Sequence, residues 1–161
     1  MSTSRLVLAI ILAAGTFTCR RATPERDSAA DQQNIGQVGD RELSAFSAGD
    51  VDGNLATLTQ DVVMMPANEQ LLTGTAEVRS WLRRVHDQFT INSRYTDSHI
   101  VVAGDWAIQR YTGVGTVTPK KGGRPIEERF KGIHVYRRQP DGTWLIAQDI
   151  WNSDVPPPGH P

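Results

Sequence analysis

Apolar residues recur at helical spacing in three stretches and at strand spacing in five. Ile35, Val38, Leu43 and Phe46 mark a first helix that ends near Ala48-Gly49-Asp50. Gly36 and Gly39 weaken its start, each by roughly 1 kcal/mol on propensity alone. Asp52 is placed to cap a short helix through Leu55 and Leu58. Asp61 to Met65 reads as a strand stopped by Pro66. Val78, Trp81, Leu82, Val85 and Phe89 predict the clearest helix, over 74–89, with Thr75 as its N-cap. The period then shortens. Strands are predicted over 93–102, 106–118, 126–138 and 143–152, parted by Gly104-Asp105, Lys121-Gly122-Gly123 and Pro140-Asp141-Gly142. Helices followed by hairpin-linked strands indicate an α+β fold with a curved antiparallel sheet around the helices and a pocket in its mouth.

The ends follow other rules. Leu6 to Gly15 is an apolar run of signal-peptide length behind Arg5, too short to span a bilayer. Cys19, the only cysteine, follows directly, so residues 1–19 are expected to direct export to the periplasm or cell envelope, with Cys19 as a lipidation site. Thr16-Phe17-Thr18 lacks the small residue expected before a lipidated cysteine; cleavage near Ala22 or an uncleaved anchor are the alternatives. Residues 20–34 read as a flexible polar tether, 35–154 as the folded domain and 155–161 as a Pro-rich tail.

Composition narrows the function classes. The 161 residues carry a net charge of −1, which points to no nucleic-acid partner and to membrane contact only through the N-terminus. One cysteine excludes an intrachain disulfide and a cysteine-based metal site, and His86, His99, His134 and His160 show no ligand spacing. No cofactor motif is present; Asp50-Val-Asp-Gly-Asn54 has its Gly too early for a calcium loop.

The densest chemistry lies over 131–154. Asp149 sits within a strand beside Ile150 and Trp151, so it needs a partner. It is either an acid or base of the pocket or a structural carboxylate paired with Arg110 or Arg138. His134 shares its strand face with Tyr136, opposite in parity to Ile133 and Val135. It is either a general acid–base or a hydrogen-bonded strand histidine. A His134–Asp149 pair across adjacent strands would favour function. Tyr111 offers a phenol and Trp151 a ligand platform, while Met64 and Met65 suit a pliable wall. Glu42 enters from the first helix, either at the pocket or on a solvated face. Trp144, Ile146 and Ile150 fall on one parity of the last strand, Leu145 and Trp151 on the other, so the outer sheet face is expected to bury apolar surface in a homodimer.

Phe46 to Gly53, Asp61-Val-Val-Met-Met-Pro66, Gly74 to Trp81, Tyr136 to Trp144 and Asp149 to Asn152 together resemble the SnoaL-like group, including the family known as domain of unknown function 4440, in the superfamily of nuclear transport factor 2 and ketosteroid isomerases. The resemblance implies a cone-shaped α+β fold over about 35–154. It also implies that Met65 stands where the isomerases carry their general-base Asp, Glu42 where they carry a Tyr, and His134 where they carry a protonated acid, with Ala147, Asp149 and Trp151 lining the pocket. The pocket carries over and the steroid-isomerase catalytic set does not. Three functions remain open: binding of a small apolar or amphipathic molecule; isomerase, cyclase or dehydratase chemistry through His134 and Asp149; and a tethered protein-interaction module.

Overall fold

The computed structural model describes residues 28–155. The expectations for the leader, for Cys19, for tether residues 20–27 and for tail residues 156–161 lie outside these.

Among the described residues, three helices and six strands follow in chain order: α1 (Ser28–Ala48), α2 (Val51–Leu55), β1 (Leu58–Met65), β2 (Leu72–Thr73), α3 (Gly74–Gln88), β3 (Phe89–Ala103), β4 (Trp106–Pro119), β5 (Ile126–Arg138) and β6 (Trp144–Ser153). They build one curved sheet in the order β2-β1-β6-β5-β4-β3. Helix α1 packs on β3 and β6, and α3 on β1. Ile35, Val38, Val62, Val78, Leu82 and Ile146 fill the space between the layers.

The α+β architecture agrees with the sequence, with several corrections of detail. The sheet is mixed, because β1 runs parallel to β6 while the other neighbours are antiparallel. Strand direction across so long a connection leaves no trace in periodicity. The first helix begins at Ser28, inside the stretch read as tether. Asp31, seven per cent exposed, anchors that extra length: it pairs with Arg138 and accepts the Trp144 indole N–H at 3.2 Å. Local polarity suggested a tether because those partners lie on the other side of the sequence. Asp50, not Asp52, caps α2, its Oδ1 accepting the Gly53 N–H at 2.9 Å. Asp52 instead pairs with Arg79 on the surface. Thr73, not Thr75, holds the N-cap position of α3, and Glu77 Oε2 accepts its backbone N–H at 2.7 Å.

Gly39 is a site of close approach rather than merely a weak point of α1. A Cβ there would sit 2.8 Å from Gln109 Oε1 and 2.9 Å from Tyr136 Oη. The bare backbone lets the helix settle onto the polar residues of β4 and β5.

Strand β6 carries a bulge. Tyr136 pairs with Ile146 but Val135 pairs with Gln148, leaving Ala147 as the extra residue. Before the bulge Trp144 and Ile146 face inward; after it Asp149 does, and Ile150 is 42% exposed. The single parity expected for Trp144, Ile146 and Ile150 is therefore broken.

Candidate functional site

The register aligns one inward row across four strands. Met64 pairs with Asp149, Asp149 with His134, and His134 with Gln109. Asp149 is 4% exposed and His134 1%. His134 Nε2 lies 3.2 Å from Asp149 Oδ1. The next row is Tyr111, Gly132 and Trp151. A Cβ on Gly132 would fall 2.4 Å from the Tyr111 hydroxyl, so the absent side chain is what gives the phenol its place. From there Tyr111 donates to Asp149 Oδ1 at 3.1 Å. The expected arginine partners of Asp149 are engaged elsewhere: Arg110 with Asp97 at 3.6 Å, and Arg138 with Asp31 and Asp105.

The polar row continues behind His134. Its Nδ1 is 3.1 Å from Tyr136 Oη and 3.3 Å from Gln109 Oε1. The Tyr136 hydroxyl donates to Gln109 Oε1 at 2.5 Å, and Gln109 Nε2 donates to Ser98 Oγ at 2.8 Å. Both imidazole nitrogens therefore face acceptors, a place for each proton of an imidazolium. Burial alone would lower the His134 pKa. The charge and hydrogen bond of Asp149, joined by the charge of Glu42, outweigh it and raise the pKa above the ordinary 6.5.

Glu42 reaches the same centre from α1. It is 8% exposed and accepts the Asn54 side-chain N–H at 2.8 Å. Burial, the largest cause, pushes its pKa from 4.5 up to about 7; Asp149 adds to the rise, while His134 and the Asn54 hydrogen bond oppose it. The solvated-face alternative for Glu42 fails because α2 folds back over this helix and supplies Asn54. Tyr111 is likewise held protonated, by burial first and then by the Asp149 charge.

These groups border a hollow between α1, α3 and the sheet. Glu42, Asp149 and Tyr111 line it, with Phe46, Trp81 and Trp151 among its aromatic walls. Trp151 meets Trp81 edge-on at 5.7 Å between ring centroids. His134 and Tyr136 sit behind this lining, in the second row of the network. Of the two methionines, Met64 lines the hollow. Met65 pairs with exposed Ile150 and falls on the opposite face, a correction to its expected place in the wall. Gln109 and Asn54 were missed as parts of the centre. The shared parity of Gln109 and Tyr111 was the available signal for the first; Asn54 carried none, since its local sequence reads as a cap.

The chain belongs to the SnoaL-like domain family, whose match spans residues 40–146 and ends before Asp149. No curated protein sequence matches it. Among solved structures it is similar to a ketosteroid isomerase-like protein from Erwinia carotovora atroseptica SCRI1043, at 22% identity and a TM-score of 0.70 over 77% of this chain and 96% of that one. It is also similar to a proposed dehydratase of the nuclear-transport-factor-2-like family from Streptomyces avermitilis, at 19% identity and a TM-score of 0.72 over 80% and 99%. A proposed scytalone dehydratase from Novosphingobium aromaticivorans DSM 12444 aligns at 12% identity and a TM-score of 0.72 over 80% and 87%. At such identities the likeness establishes the fold, and chemistry has to be argued from the side chains.

Proposed function

We propose that this domain binds a small, uncharged, largely apolar molecule in the hollow. The observation that carries this reading is Asp149: a carboxylate 4% exposed, tied on its inner side to His134 and Tyr111, that lines a space walled by aromatic rings. A concave apolar site with a few fixed polar groups is the usual form of a small-molecule site. The described lining contains no Lys or Arg to meet an anionic ligand. The leader sequence supports placing this activity in the periplasm or envelope, with Cys19 as an anchor. The test is mass spectrometry of an organic extract from the full chain purified without detergent. A single small apolar compound, absent from the extract of a Trp151→Ala variant, is the expected result; an empty extract would count against the reading.

One observation favours a second reading, proton transfer. Glu42 and Asp149 line one hollow in unlike surroundings, Glu42 with its pKa at about 7 and Asp149 beside a buried imidazole whose own pKa is raised. Unlike environments are how two carboxyl groups are divided into an acid and a base. Asp149 would take a proton from carbon next to a carbonyl, and protonated Glu42 would give one to the substrate oxygen. His134 and Tyr111 would hold the Asp149 carboxylate in place. Isomerisation or loss of water both need this couple, and the names of the structural neighbours agree with either. Proton exchange into α-tetralone in deuterated buffer, lost in Asp149→Asn, is its test.

A further inference from the structure

Trp81 projects from α3 into the wall of the hollow and is 5% exposed. Its ring stacks on Phe46 at 6.1 Å between centroids and meets the edge of Trp151 at 5.7 Å. Its indole N–H has no acceptor among the described residues. The contrast with Trp144 is direct: that ring is also buried, yet its N–H is accepted by Asp31 Oδ1 at 3.2 Å. A buried indole donor normally has a partner, because an unmade hydrogen bond in a dry site is costly. None of the acceptors lining the same hollow, Glu42, Glu128 and Asp149 among them, is bonded to it.

We propose that the Trp81 indole N–H anchors an acceptor oxygen of the ligand, and that the ligand is a flat, uncharged molecule bearing a carbonyl or ether oxygen. The indole only donates, so its partner has to offer a lone pair. Phe46, Trp81 and Trp151 present ring faces and edges suited to a planar body. An oxygen fixed at α3 turns the rest of that body toward the sheet, where Asp149 lies. Trp81 thereby acts as the residue that selects oxygenated ligands over plain hydrocarbons. The inference rests on the small-molecule-binding reading and adds the ligand class to it.

The test uses two probes of nearly equal shape, α-tetralone and tetralin, which differ by one carbonyl oxygen. Their affinities are measured on the full chain while the four indole N–H resonances are followed by NMR. The ketone is expected to bind about tenfold more tightly, the worth of one well-made hydrogen bond in a dry site. It is expected to move the Trp81 indole proton downfield and leave that of Trp144 unchanged. In Trp81→Phe the two affinities become equal while tetralin still binds. Equal affinities in the unaltered chain, or an unmoved Trp81 proton with the ketone bound, would overturn the proposal and leave the binding reading standing. Failure of both probes to perturb Trp81 and Trp151 would overturn the binding reading, and this inference with it.

Discussion

His134 stands opposite Asp149 because β6 holds one residue more than β5. In an unbroken ladder counted from the Tyr136–Ile146 pair, His134 would face Gln148 and Asp149 would point to the outer side. The extra residue, Ala147, shifts the register so that both ends of the strand face inward. Deleting Ala147 is therefore expected to close the bulge into a regular ladder, with Gln148 opposite Val135 and Asp149 still opposite His134. His134 should keep its acceptor, and its pKa, followed by NMR titration, should stay above the ordinary 6.5 because the charges of Asp149 and Glu42 still outweigh burial; a fall below 6.5 would show that the pair had been broken.

Asp149→Asn keeps the shape and removes the charge. The imidazole of His134 is expected to become neutral at pH 7, its pKa falling below the ordinary 6.5 because burial outweighs the remaining charge of Glu42. The stability cost measured by urea unfolding should be about 1–3 kcal/mol, the range for a buried hydrogen-bonding group left poorly matched. Ligand binding or turnover should suffer more than stability does.

The pH dependence of stability has a definite sign. Glu42 and His134 both have folded pKa values raised above their ordinary ones. Their contribution is complete below the unfolded pKa values and fades as pH climbs through the folded ones. For Glu42 that window runs from 4.5 to about 7; for His134 it begins at 6.5 and extends upward. The urea midpoint should fall steadily from mildly acid to mildly alkaline pH. Glu42→Gln should flatten the lower part of that slope and, at pH 8, make the chain more stable by on the order of 2 kcal/mol.

The two readings of Gly39 make opposite forecasts. Helix propensity alone would have Gly39→Ala stabilise by roughly 1 kcal/mol. The contacts at 2.8 and 2.9 Å to Gln109 and Tyr136 forecast the reverse. Overpacking of about 1–3 kcal/mol should win, because both neighbours are buried and hydrogen-bonded to each other. Thermal unfolding decides between them.

The element pattern was largely legible, because period and turn residues are local properties. The predicted last hairpin, over 126–138 and 143–152, is within a residue of β5 and β6. Within the candidate site, His134, Asp149, Tyr111 and Trp151 are legible from residue type and strand parity, and Glu42 from the family resemblance. What local sequence does not carry is the third dimension of each choice. The bulge at Ala147, the fold of α2 that brings Asn54 to Glu42, and the reach of Arg138 to Asp31 all join distant residues. Met65 was misplaced for a related reason. Its neighbour Met64 is the inward one, a matter of register with β6 rather than of residue type.

The outer sheet face is expected to form a homodimer. Val101 and Ile108 pair on β3 and β4, Ile133 and Ile150 on β5 and β6, and all four are exposed. Large exposed apolar side chains paired on one sheet face commonly mark an interface. Sedimentation should give a dimer at micromolar concentration, and Ile133→Glu a monomer with unchanged fold.

Binding of Nile red, an uncharged apolar dye, tests the central claim most directly, because the hollow and the outer face can be told apart by mutation. The measurement is a fluorescence titration of the full chain, of Trp151→Ala in the hollow and of Ile108→Glu on the outer face. Saturable binding of one dye per chain that is weakened at least about tenfold by Trp151→Ala, and left intact by Ile108→Glu, is the result this account predicts. Binding that survives Trp151→Ala and disappears in Ile108→Glu, or no saturable binding, would contradict it.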